Sequence, residues 1–82
     1  MNIKGIDALI AATGTNNEKR LMEILDYISI KKPYFKIVFT ERYINHKPYS
    51  AIGKTIGKTA GRANQIDNEM VRKIRYWNIM KK

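Results

Sequence analysis

Two glycines four residues apart, Gly53 and Gly57, sit inside an aliphatic pattern that leaves few folds open to this chain. Ile52 and Ile56 follow Tyr49 at offsets of three and seven, which puts them on one face of a helix. Gly53 lies beside that face, where a glycine or alanine lets a second helix approach closely. Gly57 falls at the helix exit, where a left-handed backbone is needed and glycine adopts it without steric cost. Thr59 offers a hydroxyl to cap the next helix. Ala63, Ile66, Met70 and Ile74 then recur at offsets of three, seven and eleven and face the core together. Two helices that meet steeply over so short a turn need small residues where their backbones touch. Tyr49 to Arg75 therefore reads as a helix-turn-helix, the unit as a whole occupying residues 48–76. Lys58 departs from the pattern, because it takes a turn position usually given to a buried aliphatic side chain. Its stem is expected along the apolar surface, with the ammonium in solvent.

The preceding residues 1–47 read as further helices. Ile3, Ile6, Leu9 and Ile10 recur at helical spacing and predict a helix over 3–12, broken by Thr13-Gly14-Thr15. Asn16 or Asn17 can cap a second helix with Glu18 in its first turn and Leu21, Met22, Leu25 and Ile28 as its apolar stripe. Lys31-Lys32-Pro33 ends it, since proline disfavours helical geometry in the residue before it and suits the first turn of a new helix. Tyr34 to Ile44 contains stiff, strand-favouring residues at Ile37, Val38 and Thr40. Phe35, Val38, Phe39 and Arg42 nevertheless share a helical face, and a single strand would have no partner, so the segment is read as helix. Tyr34, Phe35, Phe39 and Tyr43 are expected in the core. Asn45-His46-Lys47-Pro48 is a turn, with His46 in solvent, and Tyr76, Trp77, Ile79 and Met80 are expected to pack back onto the domain. The expected architecture is all-α, a small helical bundle in a single domain spanning 1–82.

Charge narrows the function. Sixteen Lys and Arg stand against seven Asp and Glu, a net charge of +9 that suits a polyanionic partner. Residues 1–47 hold eight basic and five acidic side chains, whereas 48–82 hold eight and two, so the excess concentrates on the two-helix motif. The chain has no cysteine and one histidine, which removes thiolate chemistry and His-pair metal sites. No paired catalytic groups occur, so an enzyme, a cofactor and a metal are not expected. No apolar run is long enough to span a bilayer, and Lys4 and Asp7 interrupt what would be a signal sequence. A cytoplasmic protein without a membrane partner is the expectation.

The run IGKTIGKTAGRANQIDNEMVRKIR, residues 52–75, resembles without gaps region four of the bacterial primary sigma factors, which reads the minus-thirty-five promoter element. Ile52-Gly53-Lys54, Thr59, Arg62, Gln65-Ile66 and Arg72-Lys73-Ile74-Arg75 carry the resemblance. It covers about a third of the chain, and the helices before it are similar to the preceding subregion only in pattern. The resemblance implies sequence-specific binding to double-stranded DNA, and contact of the upstream helices with the flap of the RNA polymerase beta subunit. Size and resemblance together fit a regulator encoded by a phage or mobile element. A full sigma factor also melts promoter DNA and grips the polymerase clamp, for which 82 residues have no room, so autonomous initiation is not expected.

The core-facing offsets leave Ala60, Gly61, Asn64, Gln65 and Asn68 on the outer face near the start of the second helix, where a recognition helix meets the major groove. Gln65 matches a base-contacting glutamine of the family and can pair bidentately with adenine; Asn64 and Asn68 have the same capacity. Ala60 and Gly61 stand where the family carries an arginine and a glutamate, so the site bound must differ or be read more weakly. Lys54, Thr55, Lys58, Thr59 and Arg62 are candidates for phosphate, and Arg72, Lys73 and Arg75 resemble the family's basic C-terminal patch. Two other functions fit the pattern. One is an interaction protein that binds polymerase or a sigma factor and inhibits or displaces it. The other is a dimeric helix-turn-helix repressor that uses Ile3 to Ile10 or the Trp77 tail as its interface.

Overall fold

The computed structural model describes residues 5–80. It is all-α, a small helical bundle, and no strand occurs among those residues. Helix α1 spans Ile6–Thr13, α2 Glu18–Ile28, α3 Tyr34–Phe39, α4 Tyr49–Ile56 and α5 Ala60–Met80, with a π-helical turn at Thr40–Ile44 between α3 and α4. Ile3, expected in the first helix, lies outside the described residues.

Local chemistry sets the element ends. Helix α1 stops at Gly14, whose φ of 72° is left-handed and whose N–H donates to Ile10 O at 2.9 Å. The chain reverses through Asn16, also at positive φ, a conformation that asparagine tolerates better than most residues. Of the two candidate caps, Asn17 does the work, its Oδ1 accepting from Arg20 N at 2.8 Å. Helix α2 ends at Ile28 rather than at the prolyl boundary: Ser29 closes it, donating to Leu25 O at 3.0 Å, and four residues of turn precede Pro33. Pro33 then opens α3 in helical geometry, with φ of −60°.

The segment expected as one helix over 34–44 is helical throughout but changes type. Beyond Phe39 the ladder widens, so that Asn45 N donates to Thr40 O, five residues back, at 3.0 Å. Stiff, branched side chains at Ile37, Val38 and Thr40 precede the change. Phe39 and Tyr43 stay stacked across it, 6.1 Å apart, and Phe35, Val38 and Phe39 are buried as expected.

Helix α5 is the axis of the bundle and packs against α1, α2, α3 and α4. Ala63, Ile66, Met70 and Ile74 meet Leu9, Leu21, Leu25, Phe35, Val38, Phe39 and Ile52 in one core. Truncating such a side chain to alanine costs about 2–5 kcal/mol. The far end of α5 is attached by polar contacts: Asn78 Nδ2 donates to Gly14 O at 2.9 Å, its Oδ1 accepts from Arg20 Nε at 3.2 Å, and Thr13 and Thr15 share a buried hydrogen bond beside them. The expected return of the C-terminal tail holds for Trp77, which packs on the core and meets Tyr27 edge-on at 4.8 Å between ring centres. Tyr76, Ile79 and Met80 instead remain exposed, because helical geometry turns them away from the stripe that Ile74 and Asn78 bury. No helix among the described residues is long and apolar enough to cross a membrane.

Candidate nucleic-acid interface

Helices α4 and α5 are joined by Gly57, Lys58 and Thr59 alone. Gly57 has a φ of 71° and open space around its Cα, so its need is conformational rather than steric. Its N–H donates to Lys54 O at 3.3 Å, and the N–H of Lys58 donates to Gly53 O at 2.7 Å, which satisfies two carbonyls at the end of α4. Gly53 is needed for the opposite reason. A β-carbon there would stand 2.7 Å from Lys58 O, against backbone that cannot swing away. The expectation that glycine or alanine would serve at this position is thus corrected: alanine does not fit unless the turn moves.

Thr59 caps α5 by accepting from Arg62 N at 3.1 Å. Ile52 is fully buried and Ile56 partly so. Lys58 is exposed, and its backbone carbonyl packs against Gly53 at the turn.

The outward face follows from these anchors. Ala60, Gly61, Asn64, Gln65 and Asn68 are all exposed, on the first turns of α5. Lys54, Thr55, Lys58, Thr59 and Arg62 are exposed around the same turn. Thr55 Oγ1 donates to Ala51 O at 3.2 Å, which occupies its proton locally. Arg62 Nη1 donates to Gln65 Oε1 at 3.3 Å, so the two side chains lie together on this face. Glu69, further along α5, is held by Lys32 at 2.7 Å, and this hydrogen-bonded ion pair keeps its carboxyl below the usual range.

The three basic residues expected as a C-terminal patch have different surroundings. Arg72 is exposed on the side of Gln65, four and seven residues beyond Asn68 and Gln65. Lys73 is half-buried at the edge of a depression lined by Tyr27, Ile28, Ile30, Phe35 and Trp77. Arg75 turns to α1, where its Nε and Nη2 donate to Ala12 O at 3.1 and 2.8 Å. A cation on the last carbonyls of a helix is favourable for the helix dipole.

A cluster that sequence reasoning missed lies directly beneath this face. Asp67 is 3% exposed. Its Oδ1 accepts from the Tyr43 hydroxyl at 2.8 Å and its Oδ2 from the Tyr49 hydroxyl at 2.6 Å. Arg42 lies 4.2 Å over the Tyr49 ring and donates through Nη1 to Lys47 O at 3.2 Å. Burial, reinforced by the carboxylate, raises the Tyr43 hydroxyl far above its ordinary value and pushes Tyr49 up to about 12. The signal was present: Asp67 follows Ala63 by four and precedes Met70 and Ile74 by three and seven, an acid on the apolar stripe. A buried carboxylate on such a stripe demands donors from facing elements.

Compared with known protein families, curated proteins and solved structures, the chain matches none. The site is therefore read from its own chemistry: a helix start edged by cations, with exposed amide side chains at Asn64, Gln65 and Asn68, of which Gln65 accepts from Arg62.

Proposed function

We propose that the chain is a DNA-binding transcription regulator in which α4 and α5 act as a helix-turn-helix and α5 enters the major groove. The observation that carries this reading is the exposed set Asn64, Gln65 and Asn68 on the first turns of α5, bordered by Lys54, Lys58 and Arg62 and positioned by the tight turn at Gly53. Lysines and arginines at the turn supply phosphate contacts and hold the helix in register, while the amides supply discrimination. The resemblance of residues 52–75 to sigma region four supports the same assignment. On this reading the protein acts in the cytoplasm, with duplex DNA as its main partner. Ala60 and Gly61 offer no base-reading groups, so the sequence bound is shorter or more degenerate than that of the resembled family.

Selection from random duplex DNA tests this. A recovered motif that disappears with Gln65→Ala supports reading by α5. Salt-sensitive binding blind to sequence in the wild type sinks it.

A second reading, contact with RNA polymerase or a sigma factor, is favoured by one observation. The depression beside Lys73, about 300 Å³ in volume, has exposed apolar side chains at Tyr27 and Ile30 and a rim of Lys31, Lys32 and Lys73. None of the amides Asn64, Gln65 and Asn68 lines it, and its apolar floor with a cationic rim is the surface this reading assigns to the polymerase flap. Co-purification with polymerase from the native host tests it, and loss of the contact on Ile30→Glu ties it to this surface. For the dimeric repressor reading, Leu9 is buried and Trp77 is packed on Tyr27 within one chain, whereas Tyr76, Ile79 and Met80 of the same tail are exposed.

A further inference from the structure

The buried carboxylate of Asp67 joins three segments at one point. Tyr43 reaches it from the π-helical turn, Tyr49 is the first residue of α4, and Asp67 belongs to the same two turns of α5 that expose Asn64, Gln65 and Asn68. Elsewhere along α5 the directional attachments are the Gly53 contact at the turn, the Lys32–Glu69 ion pair at 2.7 Å, which a partly exposed lysine makes from one side only, and Asn78 and Arg75 at the far end. The apolar core decides which face of α5 is buried, but it leaves the finer rotation to directional contacts, because hydrophobic contact is non-directional. Hydrogen bonds to both oxygens of one carboxylate are directional, and they weaken steeply away from their preferred angles.

We propose that Asp67 is a positioning residue whose two tyrosine hydrogen bonds set the rotation of the reading turns of α5, and so govern discrimination among DNA sequences rather than general affinity for duplex. The inference rests on the DNA-reading role argued above. Long lysine side chains at Lys54 and Lys58 follow a phosphate through small displacements of the helix. A short amide at Asn64 or Gln65 cannot, because a bidentate pair with a base edge needs both of its bonds aligned. Arg42 secures the arrangement from the outside by lying over Tyr49 and holding Lys47 O, so that Tyr49 is fixed on both sides.

Asp67→Asn is the informative variant. It keeps the size and one acceptor, but its amide nitrogen cannot accept the second tyrosine proton. Affinity for the selected motif is expected to fall about tenfold, within the range of one weakened base contact, while binding to random duplex at low salt changes less than about twofold. Tyr49→Phe, which removes one donor and leaves the carboxylate, is expected to fall between the two. Equal losses on both DNAs, or unchanged discrimination, overturn the proposal. An arm without DNA keeps it separate from the functional reading: backbone amide NMR shifts of either variant should run through residues 60–68 and leave 72–80 in place. Shifts confined to the neighbours of Tyr43 and Tyr49 overturn the positioning role. If the wild type selects no motif, the DNA-reading role fails and the amide shifts alone decide whether Asp67 orients these turns.

Discussion

Gly53 packs directly beneath the carbonyl of Thr59: a β-carbon on Gly53 would stand 2.7 Å from that oxygen and 2.8 Å from the carbonyl carbon. In an ordinary exposed helix, replacing glycine with alanine stabilises by up to about 1 kcal/mol. Here the sign reverses. Gly53→Ala is expected to destabilise by about 1–3 kcal/mol, the range for overpacking a well-packed site. Gly57→Ala should cost roughly 1–2 kcal/mol for its left-handed backbone alone, and Gly57→Asn less, since asparagine tolerates that backbone and the space there is open to its side chain. Urea unfolding midpoints, with unchanged slopes, measure all three. A neutral Gly53→Ala would mean that the turn is looser than this geometry.

The cations of the C-terminal half separate into two sets with different expected behaviour. Lys54, Lys58 and Arg62 are exposed around the α4–α5 turn. If they meet phosphates, each alanine substitution lowers the slope of log affinity against log salt by about 1. Arg75 is engaged with Ala12 O, so Arg75→Ala should leave the slope unchanged and instead cost about 1 kcal/mol of stability. Duplex binding measured between low and moderate salt, paired with unfolding of each variant, distinguishes the sets. A reduced slope for Arg75→Ala would show that this side chain leaves α1 to bind DNA.

Alkaline pH tests the cluster under α5. The folded protein holds the Tyr49 proton to about 12, and that of Tyr43 higher still, both mainly through burial. The unfolded chain releases both near 10. The folded form thus binds more protons above that value, so the stability these hydroxyls contribute is complete below pH 10 and falls as pH rises toward 12 and beyond. Tyrosinate absorbance of the folded protein should show a late component that disappears in the Tyr43→Phe, Tyr49→Phe double variant. Simultaneous release of every tyrosine proton near pH 10, with the fold intact, would contradict the buried carboxylate arrangement.

The parts of this fold legible in the sequence were those set by spacing and by backbone conformation. Leu21, Leu25 and Ile28 on α2, Ile52 on α4, and Ala63, Ile66, Met70 and Ile74 on α5 all sit where their periodicity places them, because helix geometry leaves an apolar stripe only one way to bury. Gly57 was legible for its φ and Thr59 for its cap. The π-helical turn was not, since widening a ladder by one residue has no pattern of its own. Neither was the fate of Arg75. A basic residue at a helix end looks the same whether it faces DNA or another helix's carbonyl, and only the position of α1 decides. Asp67 marks the middle case: its place on the stripe was visible, but its donors lie 24 and 18 residues away, beyond the reach of local spacing.

Ala60 and Gly61 give the most direct test of reading by α5. Both are exposed at the helix start, and a β-carbon on Gly61 meets nothing nearer than the Thr59 hydroxyl at 4.0 Å. Side chains can therefore be added without repacking. Gly61→Glu removes a glycine from the first turn of the helix, a gain below the roughly 1 kcal/mol of a helix-interior site, and brings a carboxylate to that turn, where the dipole favours it. Ala60→Arg adds a guanidinium able to pair with guanine O6 and N7. The double variant, which restores the residue types of the resembled sigma region, is expected to be at least as stable as the parent. It should also select a longer DNA motif with new positions on the side nearest the turn, while positions dependent on Gln65 are kept. If the motif is unchanged although the variant folds, the start of α5 does not face the bases, and the reading surface must lie further along the helix, toward Asn68 and Arg72.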